Sequence, residues 1–156
     1  MYNDQLYLSV EMIVDSIEPT LDDVVFASYD GDTDKNSGLY HGVGNAVLDN
    51  DCTYQGKFSN GLFHGKGKFV WASGISFEGE FVLGKMNGKG TYTWHDGSTY
   101  KGEIKNGLRH GVGKFTGSSG QVYEGDWKEG KRCGNGKIWY NEDKTSSYVV
   151  SRISLS

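Results

Sequence analysis

At 156 residues the chain has room for one domain, and its 24 glycines and single proline are accompanied by 4 Trp, 10 Tyr and 7 Phe. Collagen would need glycine at every third position, while a linker or a disordered chain would lack the aromatics, so all three are excluded. The net charge of −4 separates into residues 1–34, with nine acids and no Lys or Arg, and residues 36–156, with eleven acids and fifteen Lys or Arg; positive charge so scattered does not make a nucleic-acid stripe.

An acidic leader is expected over residues 1–28. In it Leu6, Val10, Ile13, Val14 and Ile17 recur at helical spacing, with Asp4 as N-cap and Pro19 as stop. That pattern predicts a short amphipathic helix over 5–17, which either covers the exposed end of the array that follows or docks another protein. Residues 23–29 (Asp-Val-Val-Phe-Ala-Ser-Tyr) predict a strand leading into that array. The start carries no basic-then-apolar signal, and no apolar run reaches membrane-spanning length. Cys52 and Cys133 fall at different points of the repeat and make no disulfide framework, so a reduced, cytoplasmic location is expected.

From residue 29 to residue 140 the chain repeats one frame, cleanest at Tyr100-Lys-Gly102-Glu-Ile104-Lys-Asn-Gly107-Leu-Arg-His110-Gly111-Val-Gly113. The frame opens at Tyr54, Phe77, Tyr100 and Tyr123, always 23 residues apart, and a first unit starts near Tyr29. A fixed period of this size marks a stacked array in which each unit touches its neighbours. Alternation of period two puts Tyr54, Gly56, Phe58, Gly65, Gly67, Phe69 and Trp71 on one face of the second unit. The third unit gives Phe77, Gly79, Phe81, Gly88, Gly90 and Trp94; the fourth Tyr100, Gly102, Gly111, Gly113 and Phe115; the fifth Tyr123, Gly125, Trp127, Gly134 and Gly136. Asn60-Gly61 and Asn106-Gly107 are hairpin turns.

The expected fold is therefore all-β: an elongated, curved, single antiparallel sheet of β-hairpin repeats, capped by the N-terminal helix. With strands about 4.8 Å apart, each hairpin advances the sheet roughly 10 Å. Rings lying in the gaps left by the glycines would cover bare backbone and allow the sheet to curve. After Tyr140 the pattern stops, and residues 141–156 are expected to form a C-terminal cap, a degenerate half-unit over 146–155 closing the last strand edge.

His41, His64 and His110 occupy equivalent positions, with Asn87 and Cys133 in the other two units. Equivalents roughly 10 Å apart cannot all reach one zinc at about 2.1 Å, so no metal is expected. No Ser/His/Asp spacing, no phosphate loop and no cofactor motif occurs, and an enzyme is not expected. Recognition is the alternative chemistry. The hairpin tips read Leu39-Tyr40, Leu62-Phe63, Lys85-Met86, Leu108-Arg109 and Lys131-Arg132, in register along one edge. Tyr40, Phe63, Met86, Arg109 and Arg132 are the candidate protein-binding residues of that ridge, unless the large tip residues fold back over the sheet rim. The aromatic–glycine face is the competing site, a groove for an extended peptide or a helix.

The repeated frame resembles the MORN repeat (membrane occupation and recognition nexus) over about residues 29–140. The runs Ser28-Tyr29-Asp-Gly31, Gly38-Leu-Tyr40, Cys52-Thr-Tyr54, Gly61-Leu62, His64-Gly65, Tyr92-Thr-Trp94 and Asp96-Gly97-Ser98 are most similar to the start of the radial spoke head 10 homologue B family. That resemblance implies a non-catalytic scaffold or recognition surface in the cytoskeleton, at the radial spokes of the axoneme of motile cilia and flagella. The partners it implies are other axonemal proteins. Members of that family are usually longer than this chain's five units, which leaves a short isoform, a separate small paralogue or another ciliary MORN protein. The alternative function is a module binding anionic phospholipid at a membrane surface, for which clustered Lys and Arg would be needed. Open strand edges also allow self-association.

Overall fold

Alternating apolar and polar residues between glycine-bearing turns give strands, and among the described residues there is no helix. The computed structural model describes residues 16–21, 24–140 and 147–153. Its strands are β1 (Phe26–Thr33), β2 (Tyr40–Leu48), β3 (Thr53–Ser59), β4 (Leu62–Val70), β5 (Ser76–Val82), β6 (Lys85–Thr93), β7 (Thr99–Lys105), β8 (Leu108–Thr116), β9 (Val122–Lys128), β10 (Lys131–Trp139) and β11 (Ser147–Ile153). They form one antiparallel sheet in which each strand pairs only with its neighbours in sequence, β1 through β11. The all-β meander of hairpins expected from the repeats is the fold.

Two turn types alternate along it. Within a unit, Asn60-Gly61, Leu83-Gly84, Asn106-Gly107 and Glu129-Gly130 all have both φ angles positive, the tight two-residue turn whose twist matches paired strands. Between units, Gly74 N–H donates to Trp71 O and Trp71 N–H to Ile75 O, both 2.9 Å. The same pair of bonds closes the turns at 94–98 and 117–121, each with a positive-φ glycine at its fourth residue. In the first unit a longer loop over 34–39 is held by Asp34 Oδ1, which accepts from the N–H groups of Asn36 and Ser37.

The glycines line up across the sheet. Gly31, Gly44, Gly56, Gly67, Gly79, Gly90, Gly102, Gly113, Gly125 and Gly136 are each the Cα partner of the next. Over this spine lie the rings of Tyr29, Tyr54, Phe77, Tyr100 and Tyr123, one to each glycine pair: a Cβ on Gly44 would sit 2.6 Å from Tyr29 Cε2, and one on Gly102 2.6 Å from Tyr100 Oη. Beside the spine each unit breaks register, as between Gly56 and Phe58 opposite His64, Gly65 and Lys66. Such a bulge leaves a carbonyl without its ladder partner. The tyrosine hydroxyls supply it: Tyr29 donates to Asp32 O, Tyr54 to Lys57 O, Tyr100 to Glu103 O and Tyr123 to Asp126 O, at 2.7–3.1 Å.

The remaining rings fill the same face. Phe58, Phe69, Trp71, Phe81, Trp94, Phe115 and Trp127 are all buried, and Tyr54 stacks on Phe63 with centroids 4.0 Å apart. Gly65, Gly88, Gly111 and Gly134 do not sit under rings; they take positive φ at the bulges.

Two expectations at the start of the chain change. The helix over 5–17 finds no support: residues 5–15 lie outside the described residues, and Ser16 and Ile17 are not helical. The strand expected over 23–29 begins at Phe26 and runs on to Thr33, because the Tyr29–Gly31 segment is itself paired to β2. At the other end β11 pairs with β10, with Ile138 opposite Tyr148 and a register shift beyond Gly136.

Candidate functional site

The tip dipeptides divide their two side chains between opposite fates. Leu39, Leu62 and Leu108 stay partly exposed, whereas Phe63 and Met86 (2% exposed each), Arg109 (1%) and Arg132 (9%) are buried and Tyr40 is half-buried. The expected ridge of Tyr40, Phe63, Met86, Arg109 and Arg132 is therefore not an exposed edge. Phe63, Met86, Arg109 and Arg132 are the Cα partners of the buried Phe58, Phe81, Ile104 and Trp127, so each points to the ring face. Their carbonyls link the tips to one another, accepting from the turn glycine of the next unit: Gly61 N–H to Tyr40 O, Gly84 to Phe63, Gly107 to Met86 and Gly130 to Arg109, at 2.9–3.0 Å.

Buried on that face, the row is apolar at Phe63 and Met86 and cationic at Arg109 and Arg132. Arg109 stands between aromatic walls, its guanidinium carbon 4.5 Å from the Trp127 centroid and 5.5 Å from that of Trp94. Arg132 lies 5.4 Å over Tyr123. A guanidinium so enclosed needs a counter-ion. It comes from the leader: Arg109 Nε donates to Glu18 Oε1 at 2.6 Å, and its Nη2 to Ser16 O at 2.7 Å and Gly130 O at 2.8 Å. The Arg109 backbone N–H also donates to Glu18 Oε1, at 3.1 Å.

Residues 16–21 thus lie along the ring face, running from strand to strand. Trp94 Nε1 donates to Ile17 O at 3.0 Å and Trp71 Nε1 to Thr20 O at 2.9 Å, while Leu21 packs against the buried cluster. Clefts of about 290 and 350 Å³ flank the segment at Pro19–Leu21, one toward Met86 and Leu108, the other toward Phe69 and Trp71. Burial beside this row pushes the hydroxyls of Tyr54, Tyr92 and Tyr100 well above the ordinary 10.0. Tyr92 donates to Gly107 O at 2.5 Å.

The sheet's other face carries a shallow trough of about 800 Å³, floored by Gly56, Gly67, Gly79, Gly90 and Gly102. Three of its four lysines lie opposite glutamates, Lys66 opposite Glu80, Lys68 opposite Glu78 and Lys89 opposite Glu103, while Lys101 lies between Thr91 and Lys114. Of the equivalent His positions, Asn87 shows its role, its Oδ1 accepting from Asn106 N–H at 3.0 Å. Among the described residues no three His, Cys, Asp or Glu are grouped to hold a metal ion.

Glu18, Ser16 and Thr20 are the site residues that sequence reasoning did not place, and Ile17, expected on the apolar stripe of a helix, enters the site through its carbonyl. Their signal was available only in part: the absence of Lys and Arg from residues 1–34 against two tip arginines in the later units.

A one-layer array of two-stranded repeats, with its own leader laid along an arginine-bearing ring face, is a protein of the stacked-repeat class, in which each unit adds one hairpin against its neighbours. The model of the MORN repeat matches residues 54–76, 77–99, 100–122 and 123–144, more than half of the chain, and the chain belongs to the MORN repeat family, a family of protein- and membrane-interaction modules. No curated protein matches the chain.

Proposed function

We propose that the chain is a non-catalytic structural component of motile cilia and flagella, joining proteins of the radial spoke in the axoneme and using no cofactor. The observation that carries the protein-binding part is the ring face, which holds a crossing protein segment by indole-to-carbonyl hydrogen bonds and the buried Arg109–Glu18 pair. The ciliary part rests on the resemblance of the Tyr29–Gly31, Cys52–Tyr54 and Asp96–Ser98 runs to the radial spoke head 10 homologue B family. Lys66, Lys68 and Lys89, each set opposite a glutamate across the outer face, favour a protein partner over anionic lipid, since binding to a lipid surface draws on clustered, uncompensated cations. The test is immunolocalisation with co-purification from ciliated cells. The protein should stay with detergent-extracted axonemes and bring spoke proteins with it; complete release into the soluble fraction would overturn the reading.

A further inference from the structure

The leader keeps step with the array. Trp71 and Trp94 are equivalent residues of successive units, and the carbonyls they bind, Thr20 and Ile17, are three residues apart. The row behind them fits the same step: Met86 and Arg109 are one unit apart, and Leu21, which shares a cleft with Met86, and Glu18, which binds Arg109, are again three apart. The lengths explain this. One unit is two strands, about 10 Å, and three extended residues cover about 10 Å, whereas three helical residues would rise only about 4.5 Å. An extended chain crossing the strands therefore meets an equivalent position every third residue.

Two kinds of contact recur at that interval. The indole N–H groups bind main-chain carbonyls, which every segment has, so they hold a chain without reading it. The second tip residue differs from unit to unit and supplies the reading: Met86 lines one cleft with Leu21, and Arg109 binds a carboxylate. Of the intervening side chains Ile17 (84% exposed) and Thr20 are left outward. Arg109 Nη1 is buried without a hydrogen-bond partner among the described residues, so the cationic position is not saturated by Glu18.

We propose that this row is a recognition site for an extended protein segment carrying a carboxylate followed three residues later by an aliphatic side chain, and that Glu18-Pro19-Thr20-Leu21 is its occupant in cis, which such a segment of a partner protein displaces. The inference rests on the reading of the array as a protein-interaction module and specifies what it recognises. Arg109 sets the acidic requirement, Met86 the aliphatic one, and Trp71 and Trp94 the direction and register.

The test uses the full chain and a fluorescent peptide of sequence Ser-Ile-Glu-Pro-Thr-Leu, followed by anisotropy. Glu18→Gln weakens the cis contact at nearly constant shape, so this variant should bind the peptide at least about tenfold more tightly than the native chain does. Its preference for the Glu peptide over a Gln analogue should also be about tenfold, the difference made by one hydrogen bond to a charged group. The charge exchange Glu18→Arg with Arg109→Glu should reverse the preference toward a peptide with Arg in place of Glu, which keeps the test decisive if Glu18→Gln folds poorly. Equal binding of the Glu and Gln peptides, or no reversal in the exchange variant, would overturn the site. Concentration-dependent dimerisation of Glu18→Gln with no peptide affinity would overturn it in favour of a second copy's leader as the occupant. None of these failures would remove the native chain from axonemes, so they are distinguishable from failure of the ciliary reading.

Discussion

Gly102→Ala is the sharpest probe of how the sheet is built. A Cβ there would lie 2.5 Å from Gly113 Cα, 2.7 Å from Val112 O and 2.6 Å from Tyr100 Oη. Two of these three atoms belong to the backbone of the adjacent strand, so rotating the ring away relieves only part of the clash. Overpacking costs about 1–3 kcal/mol, and an immovable neighbour puts this site at the upper end. Displacing Tyr100 also breaks its hydrogen bond to Glu103 O, worth about 0.5–1.5 kcal/mol. The expected loss is about 3–5 kcal/mol, a large share of the roughly 5–15 kcal/mol that holds a domain. Gly113→Ala meets Tyr100 ring atoms first, so the ring can yield at the cost of the same hydrogen bond to Glu103 O, and the loss should be smaller, about 2–4 kcal/mol. Gly97→Ala is the control: nothing lies within 4 Å of its Cβ, but φ is +84°, and the left-handed backbone alone costs about 1–2 kcal/mol. Urea unfolding followed by tryptophan fluorescence would order the three by midpoint at constant slope. Equal midpoints for Gly102→Ala and Gly97→Ala would refute the ring-on-glycine account.

Leu83 is 69% exposed and takes φ +50° where two other tips use Asn; Leu83→Asn should raise stability by about 1 kcal/mol, read as a higher thermal midpoint. Trp94→Phe keeps an aromatic ring but removes the donor to Ile17 O, at a cost of about 0.5–1.5 kcal/mol, and the amides of Ile17, Glu18, Thr20 and Leu21 should then exchange faster. Stability should be intact below pH 10 and fall above it. Burial raises the hydroxyls of Tyr54, Tyr92 and Tyr100 above 10.0, so the folded state holds protons that the unfolded chain releases first. Denaturation midpoints measured through that range should decline less steeply in Tyr92→Phe, whose phenolic proton is gone.

Period and alternation are local properties of the chain, and they were enough to specify the repeat, the strands and the ring face. Twenty-three residues between Tyr54, Phe77, Tyr100 and Tyr123 leave one hairpin per unit, and residues of one parity must share a face. Carried two residues back from Gly111 to Arg109, the same parity would have turned the second tip residues inward, but a tip dipeptide beside a glycine turn reads as surface. That Arg109 is buried, and that its counter-ion is Glu18, 91 residues away in sequence, emerged from the three-dimensional packing alone. No periodicity in the leader announces that pairing. It depends on an extended chain covering one 23-residue unit with three of its own residues, a match of lengths that exists only once strands lie side by side.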